Sequence, residues 1–124
     1  MNAMRPGRAV HWLMRGGLLL ALTLTSLSSH ANSHFNPTSI RALSMHDSNQ
    51  YILIDIEGTV GSAEGCQSTT LVLEKSWPFF KEIYAAALAA TATGQSIRGW
   101  VNGCVQIYSS PPMPKLTVLT LLAN

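Results

Sequence analysis

Four groups of residues in this chain have chemistry to offer: two cysteines, two carboxylates on one strand, an arginine and a tryptophan. Cys66 and Cys104 are the only cysteines. In an oxidising compartment an even count favours one intrachain bridge, which would close a long loop and contribute up to roughly 4 kcal/mol of stability. An intermolecular bridge or a shared metal ion are the alternatives, although two thiols with no nearby histidine form a poor zinc set. Asp55 and Glu57, two apart on a strand, share a face. They could hold a cation or act as an acid pair, yet a solvated strand face explains them more simply. The Arg98 guanidinium can clamp a carboxylate bidentately, whereas a lone strand arginine is ordinarily a surface residue. Trp100 can stack on the apolar face of a sugar while its indole N–H bonds a hydroxyl; the competing reading is a side chain packed in the core or at a subunit contact. The same two readings apply to Trp77 and Tyr108. No nucleophile, base and orienting group come together: His34 and His46 fall in a tail and a turn, and both cysteines are expected to be paired. Catalytic residues, a cofactor and a metal site are therefore not expected, and the chain does not read as an enzyme.

The start of the chain reads as an export signal. Arg5, Arg8 and Arg15 form a basic leader, residues 18–27 an apolar run, and Ser29-His30-Ala31 a small-residue cleavage site. Residues 1–31 read as a secretory signal peptide. A membrane anchor is the rival reading, but the run of about ten residues is far short of the roughly 20 needed to span a bilayer. Cleavage after Ala31 leaves residues 32–124, a secreted or periplasmic protein with no membrane span. Three of the eight basic residues depart with the leader and all six acids stay, so the formal charge of +2 becomes −1. Arg41, Lys75, Lys81, Arg98 and Lys115 are scattered singly. No basic stripe is left to follow phosphates, which argues against nucleic acid as a partner. The remainder suits one small domain, near the size at which a core alone gives marginal stability, so a staple or a partner is expected.

The elements that must position these residues follow from periodicity. Residues 39–45 alternate, His46 to Asn49 supply a turn, and residues 51–57 (YILIDIE) form the clearest strand, with Ile52, Ile54 and Ile56 facing the core. Residues 58–65 hold three glycines and read as a flexible connection; residues 69–75 read as a third strand with Leu71 and Leu73 on one face. Ser76 suits an N-cap and Pro78 the first turn of a helix over about residues 79–93 that ends at Gly94. Its core stripe is Phe80, Ile83, Tyr84, Ala87, Leu88 and Thr91, and its other side is Ala85, Ala86, Ala89, Ala90 and Ala92. That alanine-rich side reflects either high helix propensity or a second packing surface against another subunit. Residues 96–102 and 115–122 complete the strands, separated by a proline-rich loop over residues 109–114. Five strands and one helix in the order β-β-β-α-β-β predict a mainly β domain, a five-stranded barrel of the oligonucleotide/oligosaccharide-binding (OB) type.

Three segments, Phe80-Lys81-Glu82-Ile83-Tyr84, Thr93-Gly94-Gln95-Ser96-Ile97-Arg98 and the apolar strand after Pro111-Pro112, stand out together, with support from the strand ending Ile56-Glu57-Gly58. In them the chain from Cys66 onward resembles the receptor-binding B subunits of pentameric bacterial toxins, most closely the subtilase cytotoxin B-subunit group. It implies an exported OB-fold domain, a homopentamer with helices around a central pore, a shallow sialoglycan pocket on each subunit and an enzymatic toxin subunit as a possible partner. The family's pocket draws on an acid and a serine near the first strand and a tyrosine after the helix. Here the hydroxyl position falls at Thr38 or Ser39, and the tyrosine position at Val101 with Trp100 beside it. The family's first cysteine corresponds to Asp55, which leaves Cys104 to pair with Cys66. Thr38, Ser39, Arg98 and Trp100 are thus the expected ligand-binding residues of a non-enzymatic glycan-binding subunit. The alternative is a periplasmic adaptor or inhibitor of the same fold, without sugar specificity.

Overall fold

The computed structural model describes residues 32–123. The expected signal peptide, residues 1–31, lies outside the described residues. The elements are β1 (Ser33–Thr38), β2 (Ile40–Met45), β3 (Tyr51–Gly61), β4 (Gln67–Glu74), α1 (Phe80–Thr93), β5 (Ile97–Val105) and β6 (Met113–Leu121). All six strands belong to one mixed sheet ordered β1-β5-β6-β4-β3-β2, in which β4 and β6 are parallel and the other pairs antiparallel. The protein is mainly β with one helix. A closed five-stranded barrel is not what forms: the sheet is open, has six strands, and places the helix after the fourth. The physical reason is at Ser39. The first stretch of β-structure divides there, β1 pairing with β5 and β2 with β3, so consecutive strands form opposite edges of the sheet.

Alternation in β3 and β4 supplies the core. Ile52, Ile54, Ile56, Leu71 and Leu73 point inward, joined by Ile97, Val101, Leu116 and Phe35 from the other strands. Each such side chain stabilises the fold by roughly 1.5–3 kcal/mol through removal from water. Against this face lies α1, with Ile83, Ala87 and Ala90 buried, while Phe80 and Tyr84 stack at 5.8 Å along its flank. Small side chains at 87 and 90 let the helix approach the sheet closely. The buried stripe is therefore rotated from the expected one: Leu88 is 46% exposed, Thr91 is exposed and Ala90 is core. Gly94 ends the helix at φ 72° with its N–H on the Ala90 carbonyl, as expected. Ser76 is not the cap; Phe79 holds that position without a side-chain cap bond, because residues 74–80 turn first through Trp77 N–H to Glu74 O and Phe80 N–H to Trp77 O. Trp77 is a core neighbour whose indole N–H donates to the Thr117 carbonyl at 3.1 Å.

Three further segments depart from the sequence reading. Residues 58–61 extend β3 instead of forming a loop, after a bulge between Asp55 and Val60 at which Gly58 takes φ 86°. Pro114 lies within β6, fully buried; its missing N–H is tolerated near the start of the strand, where the pairing with β5 is also irregular. His34 belongs to β1 and not to a tail.

Candidate functional site

Strand β5 carries two of the four expected ligand residues on its outer side. Ile97, Gly99 and Val101 are buried, so Arg98 and Trp100, which alternate with them, face outward. Trp100 is 41% exposed, and its ring meets that of His34, its partner on β1, edge-on at 5.3 Å. On the other side it pairs with Val118 of β6, itself 45% exposed, while Arg98 pairs with Thr120. Between them Gly99 makes this arrangement possible. A Cβ there would lie 2.0 Å from the Val118 carbonyl oxygen and 3.1 Å from the Phe35 ring, so only glycine lets Phe35 close over β5 and keep β1 beside Trp100.

Thr38 and Ser39 fasten the crossing from β1 to β2. Thr38 pairs with Ile97, next to Arg98, and its hydroxyl donates to the Glu57 carbonyl. Glu57 returns its own N–H to the Ser39 carbonyl at 3.0 Å. A polar cleft of about 240 Å³ opens between β1 and the end of β3, lined by His34, Asn36, Thr38, Glu57 and Thr59 among others. His34 thus touches Trp100 and also lines the cleft, connecting Thr38 to the Arg98 and Trp100 face. Ser39 is half-buried and does not line it. The Glu57 carboxylate, largely exposed, lies 3.9 Å from Arg41, a pair that water screens heavily. Sequence reasoning missed His34 and Glu57 as members of this region. The signal available was Phe35 as an isolated apolar residue flanked by polar neighbours, the mark of a half-buried strand.

The two carboxylates of β3 do not form a pair. Asp55 stands before the bulge and accepts a 2.6 Å hydrogen bond from the Thr70 hydroxyl, in a different cleft. Tyr108 borders that cleft, its phenol donating to Asp47 Oδ1 at 3.2 Å; this bond, reinforced by the carboxylate's charge, raises the phenol above its ordinary pKa. Cys66 and Cys104 form the disulfide, with Cα atoms 6.1 Å apart, joining the entrance of β4 to the end of β5. Beside it Gly103, at φ 84°, donates its N–H to the Glu64 carboxylate, which also accepts from the Ser62 hydroxyl. Among the described residues no group of three metal-ligating side chains gathers, and no helix is long and apolar enough to cross a membrane. What the Trp100 face can do chemically is stack, donate from an indole and a guanidinium, and exchange hydrogen bonds through Thr38 and His34. Compared with known protein families and with curated proteins, the chain matches none.

Proposed function

We propose that this chain is a non-enzymatic, exported binding subunit that recognises a cell-surface glycan, working as a homo-oligomer in the manner of toxin B subunits and released to the periplasm or beyond. The single observation that carries this reading is Trp100, an exposed indole on an open sheet face with Arg98 two residues before it and His34 against its edge. An aromatic plane beside a guanidinium suits a sugar ring that bears a carboxylate. Thr38 adds a hydroxyl in the adjoining cleft, and Ser39 holds the strand crossing that shapes it. The connectivity supports a partly open barrel of the OB type, since β1 and β2 are successive in the chain yet stand at opposite edges, bringing the ends of the sheet together at Ser39. A ring of five copies and an enzymatic companion subunit rest on the toxin resemblance alone.

A glycan array on the disulfide-bonded protein tests this reading. Binding to sialylated glycans should be lost in Trp100→Ala and weakened in Arg98→Ala, with thermal unfolding of both variants unchanged. Silence of the wild-type protein across the array would overturn it. A second reading, a periplasmic adaptor or inhibitor of the same fold, is favoured by Phe79 at 61% and Val118 at 45% exposure, which border one shallow hollow between α1 and β6. That reading expects a protein partner and no glycan signal.

A further inference from the structure

On the other flank of β3 the loop over residues 106–112 folds back across the outer side of β3 and β4. It leaves a cleft of about 430 Å³. Ile107 anchors the loop: it is 7% exposed, and Ser110 returns both its N–H (3.1 Å) and its hydroxyl (2.6 Å) to the Ile107 carbonyl. Ile107, Leu53 and Met113 contribute apolar walls, and Asp55 with its Thr70 partner provides the polar ground between them.

The rim is held in an unusual way. Tyr108 adopts φ 50°, the left-handed region that a bulky side chain rarely enters, and the residue is still 73% exposed. Burial does not compensate for that conformation. Instead the phenol reaches Asp47 and the ring leans on His46 at 5.2 Å with a 44° tilt, which fixes an aromatic plane at the mouth of the cleft.

Charge narrows the ligand. No lysine or arginine lines the cleft, whereas Asp55 lies inside it and Asp47 stands at its rim. An anion would meet two carboxylates and neither a lysine nor an arginine, so sialic acid and phosphate are disfavoured. An organic cation is best held by aromatic faces that enclose it, but His46 and Tyr108 lean on each other at one side. A carboxylate with acceptor positions left over after one hydroxyl bond, set among apolar walls below an aromatic ring, matches adjacent hydroxyls and the C–H face of an uncharged sugar. The geometry points to a second ligand site between β3, β4 and the loop over residues 106–112, one that takes a neutral hexose ring, with Asp55 accepting from its hydroxyls and Tyr108 covering its C–H face. This site does not rest on the glycan reading of the Trp100 face.

The test is a nitrogen-15 NMR titration of the disulfide-bonded protein with the methyl glycosides of glucose, galactose and mannose at up to tens of millimolar. At least one glycoside should give saturable shifts confined to residues around Leu53, Asp55, Thr70 and Tyr108. Asp55→Asn and Tyr108→Ala should each weaken binding about tenfold or more, equivalent to about 1.4 kcal/mol. Tyr108→Phe keeps the ring but loses the bond to Asp47, so it should bind more weakly than the wild type and more tightly than Tyr108→Ala, which separates the ring's contact with the sugar from the anchor that holds it. Trp100→Ala should leave this titration unchanged, even if it abolishes recognition on the array. Absence of saturable shifts with all three glycosides would overturn the proposal, as would the same shifts produced more readily by tetramethylammonium.

Discussion

Asp55 and Glu57 stand two residues apart on β3 and lean to the same side, yet they belong to two clefts of different character. Asp55 precedes the bulge, where β3 still pairs with β4, and so acquires Thr70 as a donor and the anchored 106–112 loop as a wall. Glu57 lies within it, where the chain crossing between β1 and β2 engages the backbone through Thr38 and Ser39, leaving the carboxylate in water near Arg41. Spacing on one strand decides which face a side chain takes. The partner strand decides its chemistry, and a single bulge is enough to change the partner.

Removing the disulfide should have the largest effect on this contrast. Cys66→Ala with Cys104→Ala, or reduction, opens a loop spanning 38 positions and should cost about 4 kcal/mol, read as a lower denaturant midpoint. Cys104 stands two residues before the 106–112 loop and four after Trp100, so hydrogen exchange should accelerate more around Ile107 than around Phe35. Equal acceleration would mean that the two clefts are not separately held. Gly99→Ala comes next. Overpacking against the Val118 carbonyl and Phe35 should destabilise by about 2–3 kcal/mol. Its chemical-shift changes should centre on β1 and Trp100 and leave Thr70 and Tyr108 little altered; the reverse distribution would break the comparison.

The smallest effect is expected from Tyr108. Its phenol is raised by Asp47, so in an absorbance titration it should ionise after an unperturbed tyrosine, and Asp47→Asn should bring it back down. Since the shift is upward, the stabilisation is complete below the ordinary phenol range and disappears as pH rises through the folded-state value. An unchanged titration in Asp47→Asn would remove this contact from the description of the loop cleft.

Elements with strong local periodicity were legible in advance. Ile52, Ile54 and Ile56, with Leu71 and Leu73, alternate as core strands must, and Gly94 marks the end of the helix by the conformation it adopts. The even cysteine count anticipated the bridge. What stayed hidden depends on residues distant in sequence. The split at Ser39 becomes visible only when β1 finds β5, and Pro114 can sit in an interior strand only because the pairing there is already irregular. Leu88 and Ala90 exchange roles because the helix is oriented by the sheet beneath it, and an alanine permits a closer approach than a leucine. For the candidate site, Arg98 and Trp100 were readable as residue types. Their shared outward face depended on Gly99 and Phe35, and the cleft at Glu57 on a bulge that leaves little trace in composition.

One uninterrupted length of chain, residues 33–45, guards both open flanks of the sheet. A bare strand flank is a template for runaway association, and Pro37 on one side and Arg41 on the other are the kind of residue that blunts it. Peeling this length away would bare β5 and β3 together, so the molecule's resistance to polymerising is concentrated in a single peptide strap pivoting on Ser39.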